Sequence, residues 1–437
     1  MGTATATGFD KETLARLPET AAFVEELRGQ SLEEFGALPV PSQDTEEWRY
    51  TDLSGFDFGF EPFAEGGLAG NLDEVPSEIL TAAGAVGDRT GLRIQHNSTE
   101  MVGHLDPAAA ADGVVFTDLD RAAREHPEIV EERLHALVPT SRTKFTALHA
   151  AFRTGGTFLH VPAGVQVELP LQTLTYLDAD GAAVFPHTLI VAEEDSEVTF
   201  IDRMVSPNLT RALSDAVVEI FAGPASRVRY VALQDWGDGV QHLSVQRAHI
   251  GRDAEVRSLC VAFGASLARS EAESVMAEPG AFSEMLGLYF ADEGQHYDHR
   301  TLQDHEAPNC TSNMLYKGAL KGHSQAVYSG WVHVRPDAQK TNAFQTVRNI
   351  VLSEDAKAAS IPNLEIEAND VRCGHAASDG PVDEDELFYC QSRGIPLKEA
   401  ERLIVFGFFQ EVLDKVALAE VRESLEHAIE AELAGDD

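Results

Sequence analysis

The hydrophobic period of the chain changes twice. From about residue 9 to 140, apolar positions recur mostly at helical spacing. ETAAFVEELRGQSLEEFGAL and DLDRAAREHPEIVEERLHALV both predict amphipathic helices, the second behind an Asp cap. A short β patch, GLRIQHN, lies between them, and the turn-rich PVPSQDTEEWRYTDL at 39 to 53 follows the first helix. From about 141 to 372, after a helical lead-in (TKFTALHAAF), the pattern becomes β. TFLHVPAGVQVELPLQTLTYL, HTLIVAEEDSEVTFIDRMV, AVVEIFAGPASRVRYVALQ, SVQRAHIGRDAEVRSLCVAF and ESVMAEPGAFSEMLGLYF each read as two short strands around a small turn.

These pairs form a quasi-repeat. Turn residues Ser196, Ser226 and Ala254 fall 30 and 28 apart, and EPGAFS follows after a similar interval. RPDAQK and SEDAKA show the same turn at a spacing of 18, between Ala338 and Ala356. Irregular periods of this size, with strands on both sides of each turn, fit the coils of a β-solenoid better than an antiparallel sandwich, which stays the alternative. The chain thus divides into a mostly helical region 1–140, a β core 141–372 and a C-terminal region 373–437 whose helices begin near 381. PVDEDELFYCQSRG opens with acidic residues and stops at Gly394. IPLKEAERLIVFGFFQEVLDKV has Pro396 at its first turn and a stripe through Ala400, Leu403, Ile404, Phe408 and Val412. With the last segment, LAEVRESLEHAIEAEL, these helices would either cover the end coils or offer a docking surface.

Charge narrows the partners. The 437 residues carry 72 acidic and 33 basic side chains, a formal charge of −39, and only 8 of the basic residues are Lys. Such a field repels nucleic acid and anionic membranes. Acid spread along the whole chain with little lysine suggests a halophilic protein kept soluble in high salt. MGTATATGFDKETLARL has neither a basic n-region nor an apolar h-region, and no apolar run approaches 18 residues. The expectation is a cytoplasmic protein. Its four cysteines, Cys260, Cys310, Cys373 and Cys390, form no C-x-x-C, and a disulfide framework is not expected.

There is no P-loop, no G-x-G-x-x-G behind a strand, no H-E-x-x-H and no nucleophile elbow, since FGASLA lacks the second glycine. GQHYDHRTLQDHEAPNC contains His296, His299, His305 and Cys310, donors competent for zinc or iron and the basis for an autonomous metal-dependent enzyme as a rival reading. Yet His296 and His299 differ by an odd number and face opposite ways on a strand, while His299 and His305 lie roughly 20 Å apart if extended. In NLEIEANDVRCGHAASDG, by contrast, Cys373 and His375 share one face at i and i+2, where β pattern gives way to helix. A thiolate and an imidazole suit iron or a nascent iron–sulfur unit, but two ligands make only half a site. The competing reading is a buried thiol and a hydrogen-bonded histidine at a corner.

Several blocks carry a resemblance. SGWVHVRPDAQKTNAFQTVRNIVLS, IPNLEIEANDVRCGHAASDG and DELFYCQSRGIPLKEAERLI resemble the C-terminal half of the SufB/SufD iron–sulfur assembly proteins, and TEEWRYTDL resembles the N-terminal signature of SufD. His375-Ala376-Ala377 lacks the glutamate that SufB-like chains tend to carry there, and CGH replaces the usual CSH. Both departures, with Trp48-Arg49-Tyr50-Thr51, favour the SufD side; Cys390 in LFYC is SufB-like, leaving a SufB-type scaffold as the near alternative. The resemblance implies a right-handed parallel β-helix between helical regions. It implies a non-catalytic scaffold that pairs with SufB and holds the ATPase SufC on its C-terminal helices, so that ATP enters only through SufC. A transient cluster would form at the SufB–SufD interface, with His375 as the residue tied to cluster building and metal ligation and Cys373 as its motif neighbour.

Overall fold

The computed structural model describes residues 8–84, 89–416 and 419–434. The opening MGTATAT and the last three residues, part of the segments read above for export and docking, lie outside the described residues. The protein is mainly β, with a β-solenoid of about 8 turns flanked by N- and C-terminal helices. Each coil contributes one strand to each of two ten-stranded sheets, and successive coils pair in parallel. Between the sheets the inward side chains form the core, with Val198, Phe200, Val228, Tyr230 and Val256 from one wall and Val218, Ile220, Ala248 and Ile250 from the other.

One turn recurs at the same corner of six coils. Asp195, Ala225, Asp253, Gly280, Asn309 and Lys340 all have positive φ, between 54° and 82°. The N–H of each donates to a carbonyl in the next coil's turn, at Pro224, Arg252, Pro279, Pro308, Gln339 and Asp370. The residue after each is small and buried: Ser196, Ser226, Ala254, Ala281, Cys310 and Thr341. Ser196 and Ser226 also donate from Oγ to the carbonyls of Glu193 and Gly223, at 2.7 and 2.8 Å. This is the physical basis of the quasi-repeat. The 18-residue interval from Ala338 to Ala356 is half a coil, since the two turns flank the strand Asn342–Val351.

Parts of the outer faces are covered too. Helices Ala22–Ala37 and Lys144–Phe152 pack through Phe35, Phe145 and Leu148 against Leu213 and Leu243 of one sheet. On the other sheet, Val405, Phe409, Val412 and Leu413 of the helix Leu397–Leu413 pack on Leu286, Leu288 and Leu315. The buried stripe is therefore rotated from the predicted one: Ala400 and Val412 are buried, but Leu403 is 49% exposed. The rotation is held by this packing and by Lys317, buried in the sheet face, which donates from Nζ to the Phe408 carbonyl (2.7 Å) and pairs with Glu411 (2.6 Å). These helices lie along a face of the solenoid, not over its end.

The two ends of the solenoid differ. The N-terminal region is less helical than its pattern predicts, because Gly91–His96, Thr99–Leu105 and Val115–Asp118 join the sheets. Two of them, Thr99–Leu105 and Val115–Asp118, pair antiparallel and terminate the parallel ladders. At the other end the sheets stop at Lys357–Ile366 and Arg372–Pro381, with nothing laid across them among the described residues. The β core thus runs nine residues past 372, through Pro381.

Two features of the core yield predictions. Gly318 lies against the Tyr289 ring, where an added Cβ would sit 2.1 Å from Cε2. Gly318→Ala is expected to cost roughly 1–3 kcal/mol of stability through overpacking, read as a lower urea midpoint; an unchanged midpoint would contradict this packing. Asp202 is fully buried, and burial pushes its carboxyl up to about 6 against hydrogen bonds from Thr188 (3.0 Å) and Tyr230 (3.1 Å). An acid that binds its proton more tightly folded than unfolded stabilises the fold below its unfolded pKa and loses that contribution as pH rises through the folded one. Asp202→Asn should therefore flatten stability between about pH 4 and 6 and gain up to about 3 kcal/mol over wild type above that window. Parallel wild-type and variant curves would refute the assignment.

Candidate functional site

The terminal strand Arg372–Pro381 pairs with Asn342–Val351 in a register that sets Cys373 on Ala343, His375 on Gln345, Ala377 on Val347 and Asp379 on Asn349. Ala343, Gln345, Val347 and Asn349 are all inward and buried, at 0, 1, 1 and 4% exposure. Their partners continue the same inward row with no further coil above them. Cys373 is half-buried, and His375, Ala377 and Asp379 are exposed. The alternation of the strand and the stacking of the coils thus bring a thiol and an imidazole to the open mouth of the core.

The mouth is held in shape. Asp379 accepts from Asn349 Nδ2 and Ser360 Oγ, both at 2.7 Å, and from the Ser360 N–H at 3.2 Å, bridging the last strands of the two sheets. Gln345, below His375, donates weakly to the Asn363 carbonyl (3.5 Å) and keeps a buried carboxamide oxygen unpartnered. Partial burial pushes the Cys373 thiol up, opposed by a hydrogen bond at the Ala343 backbone, so the group is a thiol until a metal displaces its proton. Trp331, Phe344 and Ile366 add exposed apolar surface on these last coils. The strand then runs through Val382 and the cap Asp383 straight into the helix Glu384–Ser392.

The rival segment does not assemble. His296 faces outward, its Nε2 3.4 Å from Thr51 Oγ1. His299 is buried with its ring centre 4.5 Å from that of Tyr289 and within about 6 Å of those of Tyr297 and Tyr316. His305 meets Ser312 Oγ at 2.8 Å, and Cys310 fills the small buried position of the recurrent turn, its thiol toward the Glu278 and Pro308 carbonyls. Burial lowers both His299 and His305 to about 4. The strand His296–His305 and the turn after it send these four side chains to separate surroundings, as parity predicts for His296 and His299. Cys260 is likewise an inward core residue whose thiol burial pushes up to about 11, and Cys390 is half-buried on the helix Glu384–Ser392.

Among the described residues, the side chains that do converge as metal donors are His135, His149 and His187. Sequence reasoning missed them because they are 14 and 38 residues apart in no recognisable motif. Nothing local marks them: His149 lies in the last turn of one helix, His135 just beyond the end of another, and only His187 opens a strand.

Comparison with known proteins agrees with this architecture. Residues 175–408 match the SUF system FeS cluster assembly, SufBD core domain, and residues 91–173 match the SufBD protein N-terminal region. The chain is 31% identical over 415 residues to the iron-sulfur cluster assembly protein SufD of Bacillus subtilis, covering 94% of both chains. It is 38% identical over 341 residues to a SufBD family protein of Mycobacterium leprae (75% of this chain, 85% of the relative). A Mycobacterium tuberculosis SufBD family protein is 40% identical over 305 residues, 68% of this chain and 75% of the relative. With its core domain, N-terminal region and solenoid all accounted for, this chain belongs to the SufBD family of iron–sulfur cluster assembly proteins.

Proposed function

We propose that the protein is a SufD-type, non-catalytic scaffold subunit on which a nascent iron–sulfur cluster is built at a seam with SufB. One observation carries this reading: the inward row of the last coil, Cys373, His375 and Asp379, is left open where every equivalent row below it is buried. A parallel edge with free N–H and C=O groups is a template for another chain's strands. A borderline imidazole and a soft thiol at its mouth are suitable donors for iron, and a second subunit would complete the set. His375 is the metal-side ligand in this reading, and Cys373 joins it after losing its proton. The cluster is cargo, held briefly and passed on.

The C-terminal helices suit a second partner. Phe388, Tyr389, Leu397 and Leu403 are 72, 59, 49 and 49% exposed, an apolar surface that the fold itself does not use. In this reading it receives the ATPase SufC, the sole route by which ATP acts on the complex. Only Val382 and Asp383 separate the helix Glu384–Ser392 from the strand of His375, so rotation of the helices by SufC would pull directly on the mouth. Among the described residues no helix is long and apolar enough to cross a membrane, which accords with the cytoplasmic site of action proposed here.

Co-expression with the cognate SufB and SufC, at high salt to screen the excess acid, tests both surfaces. His375→Ala should leave complex mass unchanged and cut iron–sulfur content after anaerobic reconstitution at least several-fold, with a smaller loss for Cys373→Ser. Unchanged iron would make the pair structural. Phe388→Asp with Leu403→Asp should abolish SufC co-purification while SufB binding and thermal stability persist; retention of SufC would reject the docking surface.

A further inference from the structure

Three buried imidazoles meet where the N-terminal helices join the solenoid. His149 lies on the helix Lys144–Phe152 and His187 opens the strand His187–Ala192. His135 follows the helix Pro127–Arg133 with a left-handed φ of 59°. Their exposures are 8% for His135, 0% for His149 and 1% for His187. One ring nitrogen from each lies within 4.8 Å of the other two. His149 Nε2 and His187 Nδ1 are 3.1 Å apart.

The surrounding acceptors dictate where the protons sit. His149 Nδ1 lies 2.8 Å from the Asp215 carbonyl, and His135 Nδ1 lies 3.0 Å from the Val138 carbonyl. A carbonyl only accepts, so both Nδ1 atoms donate and both neutral rings keep a bare Nε2. His187 Nε2 faces Glu219 Oε2 at 3.2 Å. Glu219 is itself fixed by the backbone N–H groups of His135 (2.7 Å), Leu137 (2.7 Å) and Val138 (3.0 Å).

Protons alone do not satisfy this arrangement. To donate to both His149 and Glu219, His187 would have to be an imidazolium, and burial, reinforced by the Arg153 charge, holds its pKa well below the ordinary value. A neutral Glu219, favoured by its own burial, could instead donate to His187 Nε2. Even then His135 Nε2 stays buried with no hydrogen-bond partner, which destabilises a buried polar group.

We propose that His135 Nε2, His149 Nε2 and His187 Nδ1 bind a divalent transition-metal ion of the zinc class, with Glu219 accepting from His187 Nε2–H behind it. Each ligand's other ring nitrogen then donates to a carbonyl or carboxylate, the arrangement that orients metal-bound histidines. Zinc–nitrogen bonds of about 2.0–2.1 Å set tetrahedral ligands roughly 3.3 Å apart, near the spacing already present between His149 and His187. Burial keeps His135 and His149 neutral, the form that ligates. The Arg153 charge that acts on the cluster is offset by its ion pair with Asp120 (3.0 Å). Water would complete a tetrahedral set. Since two ligands come from the helical region and one from the solenoid, the ion would staple the two together, and its binding would add to folding stability. This site is separate from the mouth at His375 and does not rest on the scaffold reading.

The test uses the full-length chain from zinc-supplemented culture, desalted with a mild chelator and analysed for total metal. About one zinc per chain is expected. The metal-free chain should take up one Co²⁺ with the intense visible absorption of a tetrahedral nitrogen–oxygen site and no thiolate band, and its Tm should rise on adding Zn²⁺. His135→Gln and His187→Asn should lose the ion, and His375→Ala should keep it. No zinc and no Co²⁺ uptake by wild type would overturn the proposal without recourse to any variant, leaving a proton-sharing His187–Glu219 pair. Retention of the ion by both histidine variants, or its loss in His375→Ala instead, would overturn it equally.

Discussion

Every coil of the solenoid satisfies its backbone by handing N–H and C=O groups to the next, and a parallel ladder has no internal way to stop. At the N-terminal end the chain solves this with short antiparallel strands, Thr99–Leu105 and Val115–Asp118, that terminate both sheets. At the other end no such device exists among the described residues. The last coil consequently exposes what all earlier coils bury: an edge of polar backbone and an inward row of side chains. An imidazole and a thiol in that row are accessible without any pocket having been carved for them. In the proposed reading, the functional surface is an unfinished core.

The stacking is kept in register by the recurrent corner. A left-handed residue, whose N–H reaches the next coil's turn, is followed by a small buried residue that leaves space for the coil above. Four of the six left-handed positions hold Gly, Asp or Asn, which tolerate that conformation, whereas at Ala225 and Lys340 the coil-to-coil bond holds it against local preference. Lys340 makes the last of these bonds, to Asp370, and thereby places the terminal strand. The same corner accounts for Cys310, which is a space-filling turn residue despite its proximity to three histidines.

Side chains then tie the helical regions to this frame. Trp48 lies under the Arg269 guanidinium at 3.8 Å from the ring centre, and Thr51 donates to Asp298 at 2.6 Å, so the WRYT run anchors the N-terminal region on the sheet. Lys317 performs the equivalent task for the C-terminal helix Leu397–Leu413. That buried cation and the apolar stripe Val405, Phe409, Val412 and Leu413 together fix which face turns inward, leaving Leu403 outside.

Local rules made much of this legible in the chain itself. Strand pairs around small turns, the cap at Asp118, the acidic opening of PVDEDELFYCQSRG, its stop at Gly394 and the shared face of Cys373 and His375 all depend on residues a few positions apart. The repeat interval and both helical flanks follow from the same short-range information. What the sequence could not express is anything that depends on which coil is last. The exposure of His375, the open row above Gln345, the rotation of the final helices and the meeting of His135, His149 and His187 each join residues separated by tens of positions. Those depend on the stacking of whole coils, and only the tertiary structure decides where the stack ends and what lies across it.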